Sequence, residues 1–341
     1  MIFSKTNFSM MMNSRTRSLA DGLLRGDRSS LSRSITLVES TLSSHCAEAN
    51  ALLEYVLGAK GGRTDSFRLG VAGPPGAGKS TFIESLGKKL CKDQGKRVAV
   101  IAVDPSSSRT GGSILGDKTR MTELAKEPLA YVRPSPTRGT LGGLAQHTND
   151  VILLCEASGY EIIIVETVGL GQSEVMVDET VDMLLLLTPP AAGDELQAVK
   201  KGIMEVADMV VVNKADGDLV NAARHAATDY MHALQLMRRK HPSWRPRVKM
   251  CSSLHNQKID EVWGVVDKFR TAMKDELVER RRLQNLRWMW SQFKEQLVAV
   301  AKEDPGVIRT AHQMETELLQ GKSTPRIAAA SLVQHFLENR K

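Results

Sequence analysis

Short aliphatic runs punctuate the middle of the chain, and each stops at a glycine, a proline or a charged residue. They lie at 67–71, 97–103, 130–133, 162–165, 182–188, 209–212 and 248–251. Several are apolar without alternation, such as Ile162-Ile-Ile-Val165 and Met183-Leu-Leu-Leu-Leu187. That pattern belongs to strands covered on both faces, as in a parallel sheet. Between the runs fall segments with helical spacing, at 81–91, 144–158 and 198–206, and another begins at Ile259. Strands alternating with helices predict an α/β domain with a mostly parallel central sheet flanked by helices.

Both ends of the chain read differently. Ile35, Val38, Leu42, Cys46, Ala49, Leu53 and Val56 recur at three and four, one face of an amphipathic helix over 35–57 that Gly58 ends. Residues 60–65 are a polar, glycine-containing linker. From about 265 the chain is helical and charged, with an apolar stripe of Leu277, Leu283, Leu286, Met289, Trp290, Phe293 and Leu297; Pro305 breaks it and two short helices follow. A long stripe outside the core needs something to bury against, which makes this segment a dimerisation arm or an ordinary amphipathic helix. The expected organisation is a leader over 1–20, a helical extension over 21–62, the α/β domain over 63–264 and a C-terminal dimerising segment over 265–341.

Composition narrows the class. The 341 residues carry a formal charge of +7, but the basic residues are scattered except at the ends, and no aromatic–basic patch points to nucleic acid. The four cysteines are far apart, with no metal-ligand spacing, and no run is long enough to span a membrane. The first twenty residues hold Lys5, Arg15 and Arg17 and no acid, the composition of an organellar transit peptide. A mitochondrial matrix location is expected on that reading; a basic tail on a cytoplasmic protein is the other.

The densest chemistry follows the first aliphatic run. Gly73-Pro74-Pro75-Gly76-Ala77-Gly78-Lys79-Ser80-Thr81 has the spacing G-x-x-x-x-G-K-[ST] between a strand and a helix. Glycines let several backbone N–H groups close on a polyphosphate, and the helix behind turns its positive end toward the anion. Lys79 would reach the β- and γ-phosphates, and the Ser80 hydroxyl would ligate Mg²⁺.

Two later strands end in carboxylates. Asp104, at the carboxyl end of the second run, faces the ligand crevice of such a sheet. It would bind Mg²⁺ directly or through water, position the attacking water, or merely cap the Pro-Ser-Ser turn. Glu166 ends the fourth run in Glu166-Thr-Val-Gly169, which places a carboxylate by the metal and the Gly169 N–H by the γ-phosphate. Leu170 has no group to orient water, although Gln172 follows, so intrinsic hydrolysis should be slow. The glycine-rich stretch 109–121 suggests a nucleotide-dependent switch. Arg133 and Arg138 would pair with phosphate, with a partner's carboxylates, or with solvent.

Asn213-Lys214-Ala-Asp216 follows a buried strand and matches NKxD, the guanine reader. The Asp216 carboxylate would accept from guanine N1–H and the exocyclic amine, Asn213 would read the N7/O6 side, and the Lys214 stem would lie over the base. Adenine leaves that carboxylate unpaired, which is the source of discrimination. Ser252-Ser253-Leu254 occupies the place of a loop set against guanine O6.

With these motifs in order, the chain resembles the MeaB/ArgK family of GTPases, on VDPSSSRTGGSILGDKTRM (103–121), ETVGLGQSE (166–174) and PPAAGDELQ (189–197). The resemblance runs from about residue 20 to the C-terminus. It implies a homodimeric GTPase, binding GTP or GDP with Mg²⁺, that chaperones methylmalonyl-CoA mutase and gates its adenosylcobalamin loading. It assigns Lys79, Ser80, Asp104 and Glu166 to phosphate and metal, and Asn213, Lys214 and Asp216 to guanine. Asp117 falls in a second switch, and Gly193–Lys200, with Asp194, Glu195 and Lys200, in a third that relays nucleotide state. The alternative is a kinase of transport proteins, ArgK-type; NKxD argues for guanine, and no phosphoacceptor residues can be named.

Overall fold

The computed structural model describes residues 12–40, 42–60, 65–104, 121–136, 147–167, 173–190 and 201–338. Seven strands form one sheet: β1 (Phe67–Ala72), β2 (Val98–Asp104), β3 (Ala130–Pro136), β4 (Ile162–Glu166), β5 (Met183–Thr188), β6 (Met209–Val212) and β7 (Arg247–Met250). Their order is β3-β2-β4-β1-β5-β6-β7, and every pairing is parallel. Each aliphatic run of the sequence forms a strand; β4, β5 and β6 are buried throughout, and the edge strand β7 is only partly so.

Two cores sandwich the sheet. Alternate residues such as Ile101, Ile163, Val165, Leu184 and Val210 turn to one face; Val100, Ile164, Leu185 and Val211 turn to the other. The first face is covered by α1 (Ser14–Leu24), α2 (Arg28–Val38), α3 (Ser43–Lys60), α6 (Thr148–Ala157), α7 (Ser173–Asp178), α8 (Lys201–Val206) and α9 (Val220–Leu236). The second is covered by α4 (Lys79–Gln94), α5 (Thr122–Lys126) and α10 (Ile259–Ala272). Alternation along each strand thus decides which helix it meets.

The structure differs from the sequence reading in four places. The single helix expected over 35–57 is two, α2 and α3. Ser40 Oγ accepts from the Leu42 N–H at 3.3 Å and lies 2.7 Å from His45 Nδ1, turning the chain, so that Leu42 and Cys46 end exposed. Residue 264, expected as the end of the nucleotide domain, lies inside α10, whose Val265, Val266 and Phe269 are core. The helix α9 was not foreseen at all: its buried face is Ala223, Ala226 and Tyr230, too weak a signal to register as a stripe. Arg133, read as a ligand of phosphate, of a partner or of solvent, is instead committed to the end of α2, with Nη2 2.5 Å from Glu39 Oε2.

Contacts divide the chain into two units, residues 1–278 and 279–341. A 30-residue helix, α11 (Lys274–Glu303), begins in the first. In the second, Asp304 caps α12 (Pro305–Leu319) by accepting from the Gly306 and Val307 amides, and α12 packs on α13 (Pro325–Glu338).

One buried ion cluster fixes the end of the sheet near β6. Lys240 Nζ lies 2.6 Å from Asp178 Oδ1 and 2.8 Å from Asp208 Oδ2, and it donates to the Val206 carbonyl at 2.6 Å. Asp208, fully buried, also accepts from the Leu184 amide at 2.8 Å, and its own carbonyl accepts from Trp244 Nε1 at 2.9 Å. Removing one partner of such a group strands a charge in the interior. Lys240→Met should therefore cost about 3–5 kcal/mol of stability, read as a lower urea midpoint at unchanged slope; a midpoint within error of the parent would mean that His241, whose Nε2 lies 3.1 Å from Asp208 Oδ1, suffices as its partner.

Candidate nucleotide-binding site

The site sits where β1 ends. Strands β4 and β5 flank β1, and connections leave it in both directions, the switch point at which an open sheet makes a crevice at its carboxyl edge. The chain then turns through Gly73, where a Cβ would stand 2.0 Å from the Leu187 carbonyl oxygen; no side chain fits against β5 there. Gly78 takes φ +88 at the start of α4, and a Cβ on it would meet Asn213 Nδ2 at 2.7 Å. No side chain caps α4, so the amides of its first turn are left to a ligand. Lys79 Nζ donates to the carbonyls of Gly73 at 2.8 Å and Pro74 at 3.2 Å, folding back over the loop that it would leave for phosphate.

Ser80 and Glu166, 86 positions apart, are brought together: Ser80 Oγ donates to Glu166 Oε1 at 2.9 Å. Register does this, since Glu166 pairs with Val71 of β1 and with Ala102 of β2. Asp104 ends β2 two residues beyond Ala102, on the same edge. The Asp104 side chain lies outside the described residues, as do Asp117, Gly169, Leu170, Gln172, Asp194, Glu195 and Lys200.

The residues of the NKxD turn are held differently, and Asn213 is tied into the protein as well. Asn213 is 2% exposed, and its bonds run inside the protein. Its Nδ2 donates to the Ala77 carbonyl at 2.9 Å; its Oδ1 accepts from the Ser253 amide at 3.0 Å and the Ser253 hydroxyl at 2.7 Å. Cys251 Sγ adds a weaker donor at 3.5 Å, and burial pushes that thiol up to about 12, so it stays protonated. Asn213 thus braces the phosphate loop to the 252–254 loop through its oxygen and one of its two amide N–H donors. Ser85 Oγ holds the same loop from α4, donating to the Ser253 carbonyl at 2.8 Å. Neither Ala77, Ser85 nor Cys251 carries a sequence signal for this role beyond its place near a motif.

Asp216 and Lys214 remain available to a ligand. Asp216 makes no capping bond with its side chain, and His255 Nε2 stands 3.9 Å away from its Oδ1. Lys214 is exposed and takes a left-handed backbone, φ +55, uncommon for a side-chain-bearing residue. Leu254, 77% exposed, projects from the same loop as Ser253.

A parallel sheet with a phosphate loop at its switch point and an NKxD turn braced to that loop defines a phosphate-loop GTPase. The chain belongs to the MeaB family: the family model described as methylmalonyl Co-A mutase-associated GTPase MeaB matches residues 31–306. It is 47% identical over 327 residues to the mouse protein named methylmalonic aciduria type A homolog, mitochondrial, covering 93% of this chain and 79% of that one. It is 47% identical over 296 residues to GTPase ArgK of Escherichia coli, covering 84% and 87%. Among solved structures, one titled LAO/AO transport system kinase superposes with a TM-score of 0.73 at 35% identity, over 96% of this chain and 99% of that one.

The geometry separates the two motif residues by function. Asp216→Asn should leave the fold intact and shift preference from guanine toward xanthine nucleotides by about 1.5–3 kcal/mol, roughly ten- to 150-fold. Asn213→Ala should instead cost about 2–4 kcal/mol of stability, because the Ala77 carbonyl and the Ser253 donors lose their partner, and weaken all nucleotides alike. Competition binding with GTP and XTP, beside urea melts of both variants, checks the pair; a base-selective Asn213→Ala would refute the brace.

Proposed function

We propose that this GTPase acts as a chaperone of methylmalonyl-CoA mutase, gating the loading of adenosylcobalamin and guarding or reactivating the mutase. The observation that carries the reading is one hydrogen-bonded unit. Asn213 ties the phosphate loop to the base loop, and Ser80 ties it to Glu166, so nucleotide contact at any point bears on the others. The description of the matching family, a mutase-associated GTPase, supplies the partner. Names of relatives such as the mouse protein support a mitochondrial location, and the matrix is proposed on that basis. No helix among the described residues is long and apolar enough to cross a membrane.

Ser80 and Glu166 present only oxygen donors, which suits Mg²⁺. With Asp104 on the same edge, they would hold it; the bound ion neutralises charge that develops across the β- and γ-phosphates. Lys79 is assigned to the same phosphates, and the α4 N-terminus to the chain of phosphate oxygens. Leu170 supplies no hydrogen bond to a water, so basal turnover should be slow and completed by the partner. Gly169, Gln172, Asp117, Asp194, Glu195 and Lys200 are proposed switch residues on sequence alone.

The decisive measurement is GTP and ATP hydrolysis by the full chain, alone and with the mutase of the same organism. Slow GTPase activity, little ATPase activity and strong stimulation by the mutase are expected. An ATPase indifferent to the mutase, with phosphate transferred to a transport protein, would favour the kinase named in the solved relative's title.

A homodimer is proposed through α11. Leu286, Met289, Trp290 and Phe293 are each more than half exposed, and Trp290 stacks edge-on against Phe293 at 5.9 Å. A stripe of that size is rarely left to water. Trp290→Glu with Phe293→Glu should halve the mass measured by light scattering while GTP binding persists; an unchanged mass would place the dimer contact elsewhere.

A further inference from the structure

Away from the nucleotide site, strand β7 forms one edge of the sheet and is paired on one side only, to β6. In a parallel strand, alternate residues direct both backbone groups to the same side. The Cys251 amide donates to Val212 of β6 at 2.9 Å, so Arg247 and Lys249 share that side, while Val248 and Met250 direct their N–H and C=O outward. No described residue hydrogen-bonds those outward groups. Natural sheet edges are normally blunted or covered, and this one opens into a groove.

The groove has a volume of about 1330 Å³ and runs along β7 between α9 and α10, above the loop that joins α9 to β7. That is larger than a small-molecule site, which is typically about 300–1,000 Å³. Its apolar wall on the α9 side includes Met231, 45% exposed, and Leu234. Its rim is cationic: Arg238, Arg239, Arg245, Arg247 and Lys268 are all exposed, against a single lining carboxylate, Glu205. None of the five cations has an ion-pair partner among the described residues, although Arg247 lies 5.9 Å from the Trp244 ring centroid. Lys240 and Lys249 line it too, but are held by Asp208 and Glu261.

We propose that this groove receives an extended acidic segment of a partner protein, which adds to β7 as an eighth strand. Main-chain bonds to Val248 and Met250 supply affinity, and side chains that alternate along the added strand supply selection. On the α10 face they meet Arg247 and Lys268, which selects carboxylates. On the α9 face they meet Met231 and Leu234, which selects apolar residues. The groove lines β7 as far as Lys249, whereas the phosphate loop follows β1, three strands away in the sheet.

The test uses the full chain and a fluorescent peptide of about eight residues that alternates glutamate with valine. Its controls are the lysine–valine counterpart and a glutamate–valine peptide N-methylated on alternate residues. Fluorescence anisotropy should show saturable, salt-sensitive binding of the glutamate peptide, at least about tenfold tighter than either control. Val248→Pro removes one outward N–H and no bond to β6, and should weaken binding about tenfold. Arg247→Glu with Lys268→Glu should weaken it as much, with GTP hydrolysis unchanged in both variants. If Val248→Pro fails to fold, the N-methylated peptide probes the same bonds from the ligand side. No saturation at low salt, equal binding of the N-methylated peptide, or tighter binding of an oligothymidylate would each overturn the proposal.

Discussion

The carboxamide of Asn213 is the interaction on which the site depends. It lies buried between two loops that have little else in common, donating to one and accepting from the other. An amide does both from one side chain; a carboxylate would place charge against the Ala77 carbonyl, and an aliphatic residue would leave three polar groups unpaired. The Gly78 backbone has to be bare for this to happen, because a Cβ would occupy the space of Nδ2. The glycine of the phosphate motif therefore serves the base motif as well. That coupling explains why two motifs 134 positions apart (79 and 213) form one binding surface.

Around that bond the sheet acts as a ruler. Parallel register sets Glu166 beside Val71, and the turn after β1 then delivers Ser80 to it. A shift of one residue in β4 would turn Glu166 to the wrong face and bury an isoleucine or valine edge in its place. The two fully apolar cores resist such a slip, since every alternate side chain is committed to one of them. The chemistry at the carboxyl edge is precise because the interior is closely packed, not because the loops themselves are stiff.

The far side of the domain is organised differently. Asp208 and Lys240 spend a buried ion pair on holding the loop after α9 against the end of β6, with Trp244 locked to the Asp208 backbone. That cluster satisfies the inner cation and leaves the neighbouring arginines facing outward along β7. A protein with an open edge and a cationic rim has two surfaces to offer, one for nucleotide and one for a strand.

Much of this was legible in the sequence. Aliphatic runs determined the strands, since no other element buries Ile162-Ile-Ile-Val165 or Met183–Leu187 on both sides, and motif spacing named the phosphate loop, Glu166 and the NKxD turn. What periodicity could not provide was anything decided by contacts between distant elements. The break between α2 and α3 follows from Ser40 meeting His45 and from Glu39 being claimed by Arg133 of β3. The helix α9 rests on alanines whose burial depends on the sheet beneath. Asn213 shows the division most sharply: the motif identifies it as a guanine reader, and only the folded chain, by bringing Ala77 and Ser253 to either side of it, makes it a brace as well. A one-dimensional pattern encodes what each residue prefers, whereas a side chain with two equally good uses is assigned by whichever partners the tertiary structure brings within hydrogen-bonding distance.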